Sequence, residues 1–155
     1  MLLYLDLDGV MIPANSWSSP VILEDGFPEF NEVAVNSLNR IISFSGASIV
    51  LTTSRKHKFT SEQWRKIFKR RNIIVGDLSK LPQNTKHLSR REELVNWISE
   101  KNRDNNFLII DDDKSLNDLP PSLKSKLIQT SASVGLTDYL AEEALRKISN
   151  NLLGE

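Results

Sequence analysis

Leu2-Leu3-Tyr4-Leu5-Asp6-Leu7-Asp8-Gly9-Val10 is the stretch that decides how this chain is read. A short apolar run ends on two carboxylates and a glycine. Asp6 and Asp8 stand two apart at the end of an extended segment, a spacing that sends both side chains to one side. Convergent carboxylates repel each other unless a cation lies between them. A hard divalent ion such as Mg²⁺, held by one or two carboxylates plus phosphate oxygens, is the usual solution. Gly9 permits a sharp turn and a close approach of ligand to backbone.

Outward from this stretch, strands and helices alternate. The first strand covers residues 2–6. Residues 11–30 are irregular, broken by Pro13, Pro20, Gly26 and Pro28. Asn31 caps a helix whose apolar positions Val33, Ala34, Leu38, Ile41 and Ile42 share a face, and Gly46 ends it. Residues 47–52 form the second strand. Thr60 and Gln63 make a capping box that opens a helix to about Arg71. Residues 72–75 read as a short strand. Ser89 and Glu92 make a second capping box, whose helix runs to about Asn102. Residues 107–110 are the next strand, ending on Asp111-Asp112-Asp113, and residues 126–129 are the last. Thr137 caps a final helix with Leu140, Ala141, Ala144, Leu145 and Ile148 on one side.

Short apolar strands alternating with helices predict an α/β fold: a three-layer sandwich around a central, mostly parallel sheet. Ligands of such sheets bind beyond the carboxyl ends of the strands. Asp6 and Asp8, Thr52 and Thr53, and Asp111 and Asp112 all fall at those ends.

The 155 residues suit one domain, 1–155, with a single core. The formal net charge is zero, which argues against the global basic field of a dedicated nucleic-acid binder. Cysteine is absent, so disulfides, thiolate zinc sites and cysteine nucleophiles are excluded, and a cytoplasmic location is the expectation. No signal segment or membrane-spanning apolar run is read. His57 and His87, the two histidines, are too few for a His-rich metal centre and read as surface residues.

Charge is unevenly spread. From Arg55 to Arg91 there are twelve Lys/Arg, against Glu62 and Asp77, whereas the first 50 residues hold six acidic residues and one basic, Arg40. A local cationic face can attract a phosphate-rich partner, although helix surfaces carry charge in any case. Trp17, in the irregular segment, is expected to pack that loop down, and Trp64 and Trp97 to lie in or near the core.

Four stretches, in order, resemble the haloacid dehalogenase (HAD) superfamily of phosphotransferases: Asp6-Leu7-Asp8-Gly9, Leu51-Thr52-Thr53-Ser54-Arg55, residues 86–91, and Ile109-Ile110-Asp111-Asp112. Within it, the C-terminal half is similar to HAD domains of RNA-repair proteins. Arg90-Arg91-Glu92-Glu93-Leu94-Val95-Asn96-Trp97-Ile98, residues 106–113, and Leu127-Ile128-Gln129-Thr130 before Gly135-Leu136-Thr137 carry that likeness. The order separates the chain from response-regulator receivers, whose acidic pair follows the first strand. Asp111–Asp113 also lacks EF-hand spacing.

The resemblance implies a Mg²⁺-dependent phosphoester hydrolase. Asp6 would attack phosphorus and form an aspartyl-phosphate. Asp8 would protonate the leaving oxygen and then activate water. Mg²⁺ would be held by Asp6, the Asp8 backbone carbonyl, Asp111 and Asp112. A hydroxyl from Thr53, preferred to Thr52, would hold the phosphoryl group together with a cation, Lys86 or Arg90. Residues 11–30 stand where a cap domain could be inserted and are too short for one, so the site is expected to be open. That favours a phosphate carried on a macromolecule, a nucleic-acid end or a protein. The alternative is a HAD-like phosphate-binding or regulatory module with little catalysis.

Overall fold

The computed structural model describes residues 1–14, 19–101 and 105–153. Its elements are β1 (Leu2–Leu5), α1 (Glu32–Ser45), β2 (Ser48–Leu51), α2 (Ser61–Arg70), β3 (Leu78–Lys80), α3 (Arg90–Lys101), β4 (Phe107–Asp111), a 3₁₀ turn (Lys114–Asp118), α4 (Pro121–Lys124), β5 (Leu127–Gln129) and α5 (Asp138–Leu153). The five strands are all parallel in the order β3-β2-β1-β4-β5. This is the expected α/β sandwich.

Alternation along β1 sorts the layers. Leu3, Leu5 and Leu7 pack on one side with Ala34, Leu38 and Ile41 of α1, Trp64 and Phe68 of α2, and Ala141 and Ala144 of α5. Tyr4 faces the other side with Val50, Phe107, Ile109, Leu116 and the α3 residues Leu94 and Ile98. Burying each leucine stabilises the fold by about 1.5–3 kcal/mol.

The two expected capping boxes form. Thr60 Oγ1 accepts from the Gln63 amide at 3.1 Å while Gln63 Oε1 accepts from the Thr60 amide at 2.9 Å. Ser89 and Glu92 do the same at 3.2 and 3.3 Å. Asn31 caps α1 through the Ala34 amide, and Gly46 closes it at φ 66°.

The strand expected at residues 72–75 is instead β3, which begins three residues after that stretch ends. The β-branched run Ile73-Ile74-Val75 is more strand-like than Leu78-Ser79-Lys80, but Asn72 turns left-handed at φ 64° after α2. The Asn39 side chain then donates to the Asn72 carbonyl at 2.8 Å and accepts from the Ile74 amide, and Ile74 is 85 % exposed. Pairing with β2 begins only at Leu78, opposite Ile49. The 3₁₀ turn and α4 were not anticipated. Asp113 caps the first through the Ser115 amide, and Pro121 opens the second. Trp17 and the expected end of the third long helix at Asn102 lie outside the described residues.

Among the described residues, no large cap stands over the strand ends. The described part of residues 11–30 has only isolated bridges, such as Ile22 to Pro28. Arg71, 5 % exposed, ties this segment down. Its Nε donates to the Pro28 carbonyl, Nη1 to Asp25 and the Ile67 carbonyl, and Nη2 to Asp25 and the Phe27 carbonyl, all within 2.6–3.0 Å.

Candidate active site

Register builds the site. Leu5 pairs with Leu51 on one side and Ile110 on the other. The next residues, Asp6, Thr52 and Asp111, therefore stand side by side at the carboxyl edge of the sheet. The Asp6 amide donates to the Ile110 carbonyl and the Thr52 amide to the Leu5 carbonyl, each at 3.0 Å. Here β1 lies between chain segments running to opposite edges, the switch point at which open α/β sheets bind ligands.

After Asp6 the chain winds tightly. The Leu7 carbonyl accepts from the amides of Val10, Met11 and Ile12. Gly9 sits at φ 80°, and a Cβ there would meet Asp112 Oδ2 at 2.2 Å. Glycine is required twice over, for the backbone angle and for the space the Asp112 carboxylate fills. Thr130 Oγ1 donates to the Gly9 carbonyl at 2.7 Å and fixes this loop against the segment after β5.

Asp6, Asp111 and Asp112 each present a carboxylate oxygen within 4.8 Å of the others. Asp6 is 5 % exposed and Asp111 is fully buried. Arg90 spans the pair, with Nη1 3.3 Å from Asp111 Oδ2 and Nη2 3.8 Å from Asp6 Oδ1. Burial, then the charge of Asp111, pushes the Asp6 carboxyl up to about 8, against the pull of Arg90. Burial raises Asp111 too, and Arg90 opposes it. One guanidinium does not neutralise this cluster. An all-oxygen donor set still short of positive charge fits a hard divalent cation.

Asp8 does not join the cluster. The turn at Gly9 carries its carboxylate to Arg55 Nη2, 3.0 Å away, at a half-exposed position. Both residues line a hollow of about 740 Å³ with Pro13, Pro28, Phe30 and Asn31. The convergence expected of Asp6 with Asp8 is realised instead between Asp6 and the acidic pair Asp111 and Asp112 at the end of β4.

Thr53 is buried, and its Oγ1 accepts from the Arg55 amide at 3.3 Å. Thr52 Oγ1 is buried with no hydrogen-bond partner among the described residues. Of the two candidate cations, Arg90 reaches the carboxylates. Lys86 is exposed and lines a separate hollow with Leu81, Asn84 and Trp97. Lys56, 4 % exposed, is a buried cation that motif reading did not single out, and its Nζ lies 3.1 Å from Glu93 Oε2.

The family described as the HAD domain in Swiss Army Knife RNA repair proteins matches residues 2–141. The chain belongs to that family. No curated protein matches it. It is thus a HAD domain of the phosphoesterase-like kind. HAD domains generally use Mg²⁺, and Asp6, Asp111 and Asp112 could bind one.

The basic segment of this HAD domain is partly internal. Lys56, Lys80, Arg71, Arg90 and Arg91 are all engaged with protein carbonyls or carboxylates. What faces outward is α2, with Arg65, Lys66, Lys69 and Arg70, together with Lys58 and Lys86. Two of these are paired, Arg65 with Asp77 and Arg70 with Glu24. Trp64 is fully buried, and its Nε1 donates to the Lys56 carbonyl at 2.9 Å. Both histidines are exposed, as expected. Among the described residues, no helix is long and apolar enough to cross a membrane.

Proposed function

We propose that this domain is a Mg²⁺-dependent phosphoester hydrolase that works through a phosphorylated Asp6. The observation that carries the reading is the grouping of Asp6, Asp111 and Asp112 at the switch point, with Arg90 bridging two of them. Asp6, Asp111 and Asp112, with the Asp8 backbone carbonyl, would hold Mg²⁺. When bound, the ion screens carboxylate–phosphate repulsion and stabilises charge on the transferring group.

The protein's own residues divide the remaining work. Asp6 attacks phosphorus as its carboxylate, and the bond from phosphorus to the leaving oxygen breaks. Arg90 favours the ionised form of Asp6 and offers N–H groups to the equatorial oxygens. The Thr53 hydroxyl donates to another of those oxygens. Asp8, turned away from the carboxylate cluster, gives its proton to the leaving oxygen. It then takes one from the water that hydrolyses the acyl phosphate and releases Asp6.

Among the described residues no large cap covers the site, which suits a phosphate on a macromolecule. A nucleic-acid end is the leading candidate, with Arg55 on the hollow beside Asp8 and with Lys58 and the exposed cations of α2 offered as further phosphate contacts. Binding through such contacts weakens steeply with salt.

The test is hydrolysis of an aryl phosphate by the wild type and Asp6→Asn, with Mg²⁺ and with chelator. Turnover lost in both the variant and the chelated sample is expected. Undiminished turnover by Asp6→Asn overturns the mechanism. Tight binding of phosphorylated ligands without turnover would move the reading to a binding module.

A further inference from the structure

We infer that the buried Lys56–Glu93 ion pair is a positioning device. It fixes the amino end of α3 against the turn after β2, so that Arg90 and Thr53 close on the same phosphoryl group. The inference rests on the phosphatase reading above and adds two residues to it.

α3 is lightly anchored by apolar packing. Among the described residues it fully buries only Leu94 and Ile98, with Val95 and Trp97 partly covered. Its remaining ties are polar. Arg90 reaches the two carboxylates, and Arg91 Nε donates to the Asp118 carbonyl at 3.1 Å. Glu93 accepts from Lys56 Nζ. Arg90 and Glu93 stand three apart, on one face of the helix. Whatever fixes Glu93 therefore fixes the root of Arg90.

The other half of the pair is rigid. The Lys56 amide donates to the Thr53 carbonyl at 3.0 Å, and the Lys56 carbonyl accepts from the indole of fully buried Trp64. The turn that carries Thr53 and Arg55 is thereby pinned on the α2 side. Lys56 and Glu93 side chains are 5 % and 12 % exposed. A buried ion pair adds little net stability over apolar residues of the same volume, and its attested use is to fix one arrangement among several. The arrangement fixed here joins the two elements that carry Thr53 and Arg90.

The test replaces the pair with apolar side chains, Lys56→Met with Glu93→Leu, both in the wild-type background and with Arg90→Gln. Three quantities are read: thermal melting, aryl phosphate turnover, and orthophosphate binding by calorimetry in the presence of Mg²⁺. The apolar pair should melt close to wild type. Beside Arg90, kcat should fall by up to about a hundredfold, the scale of a group misplaced by an ångström, and orthophosphate should bind correspondingly more weakly. In the Arg90→Gln background the same replacement should cost nothing further. Glu93→Asp keeps the charge but shortens the reach, and should show the same dependence on Arg90 should the apolar pair fail to fold.

Losses of equal size in the two backgrounds, or no loss at all, overturn the inference and leave the phosphatase reading standing. A wild type that binds orthophosphate without turnover overturns the phosphatase reading, and the coupling is then read from binding alone. A wild type that does neither overturns both.

Discussion

Two arginines in this domain hold carboxylates, the buried Arg71 and the partly exposed Arg90, and they do so in opposite ways. Arg71 spends every N–H it has at 2.6–3.0 Å, on Asp25 and three backbone carbonyls. It also lies over the Phe27 and Phe30 rings, 5.8 and 5.0 Å from their centroids. Its hydrogen bond holds the Asp25 carboxyl below its ordinary value. Arg90 instead stands 3.3 and 3.8 Å from two carboxylates, both pushed upward by burial. The same residue types give a completed joint in one place and unmet demand for positive charge in the other. A carboxylate cluster that its own arginine does not neutralise is where a cation can still gain binding energy.

The contrast can be broken by mutation. Arg71→Met should destabilise the fold by about 3–5 kcal/mol, since it removes the charged partner of Asp25 and the donor to the Pro28 carbonyl. Arg90→Gln, with Mg²⁺ saturating, should cost less than half of that while removing most activity. Paired denaturant melts check both, and equal losses would erase the distinction. Mg²⁺ itself should stabilise the domain, by about 2.7 kcal/mol at a hundred times its Kd. That gain should vanish in Asp111→Asn and persist in Arg71→Met if the latter still folds.

The pH response sharpens the comparison. Asp25 is lowered in the folded state, so its contribution to stability is present above about 3.8, the ordinary carboxylate value. It is lost as pH falls through the folded pKa. Asp25→Asn should therefore narrow the stability gap to wild type as samples are acidified below that value. A gap constant with pH would show that the Arg71 contact is not ionic. The smallest effect is expected at Thr52, whose buried hydroxyl has no hydrogen-bond partner among the described residues. Thr52→Val should change stability by less than about 1 kcal/mol and leave turnover within about twofold, while Thr53→Val lowers it. The reverse order would make Thr52 the phosphoryl-binding hydroxyl.

Much of this was legible in the chain. The parallel α/β sandwich followed from short apolar strands separated by capped helices, because caps and alternation are local properties of backbone and side chain. Asp6, Asp111 and Asp112 were legible for a related reason. Each lies at the end of a strand or one residue past it, and a parallel sheet must bring such ends to one rim. The third strand was misplaced because Ile73-Ile74-Val75 has the stronger local preference, whereas pairing with β2 selects Leu78-Ser79-Lys80.

Other assignments depend on distance in space. Lys86 and Arg90 were equal candidates by type and spacing, and only the docking of α3 sends Arg90 to the carboxylates and leaves Lys86 in solvent. Asp8 was expected beside Asp6, until the turn at Gly9 handed it to Arg55. Arg71 and Lys56 looked like members of a cationic surface, yet they are buried, each matched to a carboxylate 46 or 37 residues away in the chain. Local periodicity determines which face of an element is apolar and where each element ends. Which charge meets which is decided by burial, because the energy of a charge depends on how much water surrounds it and on the partners that replace that water.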